Sequence, residues 1–186
     1  MSTATTCHDV SICRWSEVAD KAALMPQIDA IFFESSATRT FASDEHRTAF
    51  RERWLGRYLT DEPAWGYLAL DANGTVAGYL VGSITDPATT GPFDDIGAFE
   101  NSAALTAAHP AHLHINLAPQ FRNRGIGGRL IEAFAADAAQ AGAKGVHVIT
   151  GAASRNVGFY KRNGFDALAT GKIRDHDVVM LGRTFR

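Results

Sequence analysis

Cysteine is scarce: the 186 residues hold two, Cys7 and Cys13, both near the start. A chain of this length can bury its own core, so a lone pair is no disulfide framework. Neither is there a Cys-x-x-Cys spacing that would mark a metal knuckle. Both thiols read as small apolar fillers of a reduced, cytoplasmic protein. No apolar run approaches the ~20 residues that span a bilayer. Residues 1–10 hold no cationic start and no apolar stretch, so a signal peptide is not expected. Positive charge is missing from a long stretch: residues 58–121 carry no Lys or Arg against seven Asp and Glu. From Arg122 onward, eleven Lys and Arg stand against five Asp and Glu. The net charge of −2 therefore hides a segregation, and it excludes the broad basic surface of a general nucleic-acid binder. What is there is ordinary globular material, 46% hydrophobic and 20% charged, which excludes wholesale disorder.

Internal repeats and interdomain linkers are also lacking, so residues 1–186 are expected to form one domain. A short strand fits residues 10–15. Ser16 or Asp20 can cap a helix reaching about Ser35, with Leu24, Ile28, Ile31 and Phe32 at 3–4 spacing. Ser43 starts a second helix, with acids in its first turn and Phe50, Trp54, Leu55 and Tyr58 as its apolar stripe. Strands at 65–70 and 75–84 flank Asn73-Gly74, two residues that tolerate positive φ and so predict a hairpin turn. Residues 86–109 read as a long loop with a short helix near 103–108, and loops of that length are usually functional or mobile. A strand at 111–118, a helix at 127–141 stopped by Gly142, a strand at 145–150 and a helix at 154–162 stopped by Asn163-Gly164 follow. Two strands at 165–170 and 177–183 end the chain. The order predicts an α/β (α+β) fold, a mixed sheet with helices on its faces.

The most informative segment lies where the alternating strand ends. Arg122-Asn123-Arg124-Gly125-Ile126-Gly127-Gly128-Arg129 joins that strand to a helix. Glycines let the backbone approach a ligand closely, and the helix start offers unpaired N–H groups to a phosphate. Arg122, Arg124 and Arg129 add charge-assisted hydrogen bonds. A P-loop is excluded because no Lys-Ser/Thr follows the glycines, and the dinucleotide fingerprint lacks its third glycine. The alternative is a glycine-rich turn with solvated arginines.

Arg-x-x-Gly-x-Gly after a strand resembles the acetyl-CoA-binding motif of the GNAT N-acetyltransferase family. Phe159-Tyr160-Lys161-Arg162-Asn163-Gly164-Phe165 resembles that family's Phe-Tyr-x-x-x-Gly-Phe signature, one helix and one strand downstream. The run from His109 to Asn116 also resembles the acetyltransferase-like domain found at the end of O-GlcNAc hydrolases and in free-standing bacterial proteins. The resemblance implies a mixed, mostly antiparallel sheet of six or seven strands, flanked by about four helices and splayed between the fourth and fifth strands. It implies acetyl-CoA as cosubstrate, no metal, and direct transfer of the acetyl group to a primary amine in a ternary complex. A small-molecule amine or a protein amine would be the partner, with no nucleic acid or membrane, and a homodimer is compatible with it. A non-catalytic acyl-CoA-binding or regulatory module of the same fold is the competing reading.

Residue roles follow from the resemblance. Arg122, Asn123, Arg124, Gly125, Ile126, Gly127, Gly128 and Arg129 would hold the pyrophosphate. The backbone of Leu117 and Ala118 would meet the pantetheine arm, with the Leu117 N–H as oxyanion donor. Phe159 would join the cofactor site, and Tyr160 would protonate the leaving thiolate, a phenol being neutral near pH 7. Its alternative is a buried aromatic with a satisfied hydroxyl. Many members carry Asn seven residues before the Tyr, where this chain has Ala153. Asn156, one helical turn before Tyr160, either replaces it or packs.

His112, His114 and Asn116 alternate and share one strand face. His114 is the preferred general base, because imidazole titrates near neutrality. The alternative has both histidines packed within the sheet. Asp94, Asp95 and Glu100 are further candidate bases or substrate anchors. A His112-x-His114 metal pair lacks a companion ligand, and His109 reads as a turn residue. The acidic stretch would border the acceptor and favour a cationic amine, unless its acids form only a solvated face.

Overall fold

The computed structural model describes residues 10–89, 92, 93, 95 and 102–185. Seven strands pair in the order β1-β2-β3-β4-β5-β7-β6. They are β1 (Ser11–Arg14), β2 (Gly66–Leu70), β3 (Val76–Ser83), β4 (Ala111–Leu117), β5 (Gly145–Gly151), β6 (Asp166–Ile173) and β7 (His176–Thr184). The ladders β1–β2, β2–β3, β5–β7 and β6–β7 are antiparallel and β4–β5 is parallel. This is the mixed, mostly antiparallel sheet expected, at the larger of the two strand counts. Residues up to Val81 together with Ile115–Leu130 form one compact unit, and Gly82–His114 together with the chain from Ile131 form a second.

The first unit carries α1 (Lys21–Ser35), α2 (Asp44–Arg51) and α3 (Arg57–Asp61) beside β1 and β2. Asp20 is the N-cap of α1, accepting from the Ala23 N–H at 3.0 Å, and Ser43 caps α2 through the His46 N–H at 3.3 Å. The sequence predicts one regular helix from Ser43 to Tyr58. The structure instead widens it into a π-helical stretch at Glu52–Gly56. Leu55, Tyr58 and Leu59, at i, i+3 and i+4, are all buried. Trp15 locks this segment down by donating its indole N–H to the Leu59 carbonyl at 3.1 Å.

The β2–β3 turn falls where expected. Gly74 takes φ 78°, while Asn73 is not in the left-handed region. The Asp71 carboxylate accepts from the N–H groups of Asn73 at 2.9 Å and Thr75 at 2.8 Å, a turn built by a side chain rather than by two left-handed residues.

The second unit contains α4 (Ala103–Ala108), β5, α6 (Asn156–Arg162), β6 and β7. Helix α5 (Ile126–Gln140) begins in the first unit and continues into the second. It ends at left-handed Gly142, where the Ala143 N–H bonds the Ala138 carbonyl at 3.0 Å. Arg183 of β7 ties two helices to the sheet. Its guanidinium donates to both carboxylate oxygens of Glu132 on α5, at 2.6 and 3.0 Å, and to the Asn163 carbonyl after α6 at 3.2 Å. Among the described residues, no helix is long and apolar enough to cross a membrane. Asp94 and Glu100 lie outside the described residues.

Candidate functional site

The turn from β4 to α5 has the backbone that its sequence suggests. A 3-10 turn at Pro119–Phe121 leads into Asn123 at φ 60° and Gly125 at φ 76°. Left-handed residues in a loop are the form that gathers N–H groups into an anion-binding concavity. The Gly125 carbonyl accepts from the Arg129 N–H at 3.2 Å, opening helix α5. The N–H groups ahead of it have no partner inside the helix. A Cβ added at Gly125 would meet nothing within 4 Å, so the space over the loop is open. Arg124 and Arg129 are exposed, and Arg124 is held 5.8 Å from the Phe121 ring. Backbone N–H groups, two guanidiniums and open space suit the oxygens of a pyrophosphate.

The remaining loop residues take structural parts. Ile126 is buried and Gly127 packs beneath the helix start, while Gly128 is half-buried. Arg122, expected to hold the pyrophosphate, is half-buried. Its Nε donates to the Leu117 carbonyl at 3.0 Å and its Nη2 to Ser35 Oγ at 3.4 Å, fastening the loop to β4 and to the end of α1. Ala118 is closed on both sides: its N–H bonds the Ala77 carbonyl at 3.0 Å and its carbonyl accepts from Phe121 at 2.9 Å. Gly78 on β3 lets β4 come close, because a Cβ there would lie 2.7 Å from the Asn116 carbonyl oxygen.

On β4, the alternating face divides. His112 is buried, with its ring 5.2 Å from Phe93 and 5.9 Å from His147. His147 in turn bonds the His109 carbonyl at 2.6 Å, and burial holds its imidazole below its ordinary value. His114 is half-buried. Asn116 donates to the Tyr79 hydroxyl at 2.8 Å, and burial pushes that phenol up. The parallel ladder with β5 joins only Ala111 to Val146 and His112 to His147. His109 caps the end of α4 rather than sitting in a simple turn: its Nδ1 lies 3.2 Å from the Leu105 carbonyl and its Nε2 3.3 Å from Thr184 Oγ1. Asp95 is exposed. No group of three or more metal-ligating side chains occurs among the described residues.

Tyr160 lies in α6, packed between Phe159 at 5.2 Å and Phe165 at 5.3 Å, and burial raises its phenol above the ordinary value. The phenol is therefore neutral near pH 7. Asn156 opens the same helix and is exposed, which excludes packing as its role. Ala153 is exposed in the preceding turn. Sequence reasoning misses Ser35, Tyr79 and Gly78 as supports, since each acts through a contact distant in sequence and has no local signature.

The acids of residues 58–121 do not assemble in the first unit. Asp61 and Glu62 precede β2 while Asp71 follows its far end. Asp71 closes its own turn, and in the second unit Asp86 does the same with the Ala88 N–H at 2.9 Å.

The sheet is mixed, the turn after β4 holds two left-handed residues, and in the second unit a buried tyrosine precedes left-handed Gly164. The model of the acetyltransferase (GNAT) family matches residues 30–165. The chain belongs to that family and is an enzyme of the N-acetyltransferase type. Among solved structures it is similar to a protein named SsHAT, at 23% identity and TM-score 0.69, with 95% of this chain and 98% of that one covered. A GNAT superfamily phosphinothricin acetyltransferase from Sinorhizobium meliloti in complex with AcCoA matches at 19% identity and TM-score 0.62, covering 94% of this chain and 88% of that one. An N-acetyltransferase from Staphylococcus aureus Mu50 matches at 15% identity and TM-score 0.62, covering 95% and 98%.

Proposed function

We propose that this chain is a single-domain, acetyl-CoA-dependent N-acetyltransferase that moves an acetyl group directly to a primary amine in a ternary complex. The observation that carries the reading is the β4–α5 turn, with left-handed Asn123 and Gly125, an open helix start, and exposed Arg124 and Arg129. When bound there, acetyl-CoA supplies an activated thioester carbonyl. Backbone N–H groups of the turn and the two exposed guanidiniums hold the pyrophosphate; Arg122 holds the loop in shape. The Leu117 N–H, at the end of β4, is assigned to the carbonyl oxygen as charge develops there. Ala118, with both backbone groups engaged, contributes shape only. Asn156 and Phe159 are assigned to the pantetheine side.

In the transfer, a carbon–nitrogen bond forms and the carbon–sulfur bond breaks. The amine loses a proton and the thiol leaves carrying one. Tyr160 is assigned as the acid that delivers the latter, on its motif and its burial, and half-buried His114 as the base that takes the former. His112, edge-on to Phe93, is a sheet residue.

Calorimetric titration with acetyl-CoA tests the reading. Wild type is expected to bind saturably, and Arg124→Gln with Arg129→Gln to weaken binding about tenfold or more, each charged hydrogen bond contributing about 1.5–3 kcal/mol. Unchanged affinity in the double variant would contradict the cradle.

A further inference from the structure

The first unit has an open cavity of about 560 Å³ that the transfer chemistry above does not use. Phe33 and Phe41 line it, with Arg39, Arg47, Ser43 and Asp44 around them. Its floor is part of a closed ring of four phenylalanines. Phe32 contacts Phe33 at 5.0 Å and Phe50 at 5.5 Å, and Phe41 contacts Phe33 at 6.0 Å and Phe50 at 5.3 Å. Phe32 is buried, whereas Phe33 and Phe41 remain half-buried and open toward the cavity. Scattered apolar residues on a surface need no explanation, but two aromatic rings in one concavity beside convergent polar groups mark a ligand site.

Both arginines are organised around Phe33. The Arg47 guanidinium sits 3.6 Å from the centre of the ring, and Arg39 Nη1 donates to the Phe33 carbonyl at 3.4 Å. A guanidinium held against a ring keeps in-plane N–H groups for a carboxylate fork. Asp44 is the single acid in the lining, so the two arginines leave an excess of positive charge. The Ser43 oxygen is engaged by the His46 N–H. The cavity and the loop's anchor both draw on the last turn of α1. Phe33 lies one turn or less from Ser35, whose hydroxyl accepts from Arg122 of the phosphate turn.

We infer that this cavity takes the acceptor, a small amine that also carries a carboxylate and an apolar, preferably aromatic, body, such as an amino acid with a large hydrophobic side chain. The inference rests on the acetyltransferase reading. The carboxylate goes to Arg39 and Arg47, and the apolar body lies on Phe33 and Phe41. A polyamine or basic peptide is disfavoured by the same two positive charges.

The test has a binding arm and a turnover arm. Calorimetric titration without acetyl-CoA uses 3-phenylpropanoate, phenethylamine and spermidine. The first is expected to bind wild type saturably and the other two about tenfold or more weakly. Arg39→Gln and Arg47→Gln are expected to weaken 3-phenylpropanoate about tenfold each, the loss of one charged hydrogen bond. Arg39 is exposed, so its variant keeps the test alive should Arg47→Gln fail to fold. In thiol release with acetyl-CoA, L-phenylalanine is expected to exceed both glycine and phenethylamine in kcat/KM. The arginine variants should raise its KM and spare kcat. Tighter binding of spermidine, or indifference to both substitutions, overturns the inference. Acetylation of amines without a carboxylate preference overturns it and leaves the transferase reading intact. Expected binding of 3-phenylpropanoate with no acetylation of any amine overturns the transferase reading and the acceptor role with it.

Discussion

At the scale of single residues, the side chains in the middle of the chain do unequal work. Tyr160 is buried among two phenylalanines and keeps its proton, which suits a donor to a thiolate. Tyr160→Phe is expected to lower kcat about a hundredfold or more, within the range of general acid catalysis, while acetyl-CoA titrates within about twofold of wild type. A variant turning over at the wild-type rate would remove Tyr160 from the reaction. His147 belongs to stability instead. Burial depresses its imidazole, so the unfolded chain, near its ordinary value of about 6.5, binds a proton that the folded ring resists. Its contribution is therefore intact above about pH 6.5 and is lost as pH falls below it, at up to about 1.4 kcal/mol per pH unit. Denaturant midpoints should drop between about pH 7.5 and 5.5, and His147→Asn should flatten that slope. Glu132, held below the usual carboxylate range by Arg183, adds its own loss only at more acid pH.

At the scale of elements, two glycines act by different physics. Gly125 has open space but φ 76°, so Gly125→Ala is expected to cost about 1–2 kcal/mol through conformation and to weaken acetyl-CoA binding. Gly78 has no such φ, but a Cβ there meets the Asn116 carbonyl oxygen at 2.7 Å, so Gly78→Ala must push β3 from β4. Its stability should fall even where Gly125→Ala leaves the sheet intact, which amide exchange on β4 would show. Arg183→Met removes the tie between β7, α5 and the end of α6. Because Glu132 is mostly exposed, the expected loss is about 1 kcal/mol, read as a fall in Tm of about 2–4 °C. Elements with a repeating pattern or a strong cap were legible in the sequence. Asp20, Ser43, Gly142 and Gly164 mark helix ends where expected. The π-helical stretch was not, because the spacing of Leu55, Tyr58 and Leu59 is that of a regular helix and carries no mark of a wider turn. The hairpin turn at 71–74 was legible too, with left-handed Gly74, but the part of the Asp71 carboxylate in closing it carries no pattern of its own.

At the scale of the whole molecule, charge and motif carry different weight. The cationic C-terminal stretch includes the proposed cradle, where Arg124 and Arg129 stand exposed on an open turn and Arg122 turns inward to brace it. The acidic middle stretch makes no comparable site in the first unit, because Asp61, Glu62 and Asp71 lie at opposite ends of β2. The cavity at Phe33 and Arg47 arises from residues whose grouping no motif announces. The central claim is that this chain moves an acetyl group from acetyl-CoA to an amine, and thiol release from acetyl-CoA across a broad panel of amines tests it most directly. The account predicts release that depends on the amine, saturates with acetyl-CoA and disappears in Tyr160→Phe. Saturable acetyl-CoA binding with no amine-dependent release across the panel would contradict it and leave a binding module in place of an enzyme.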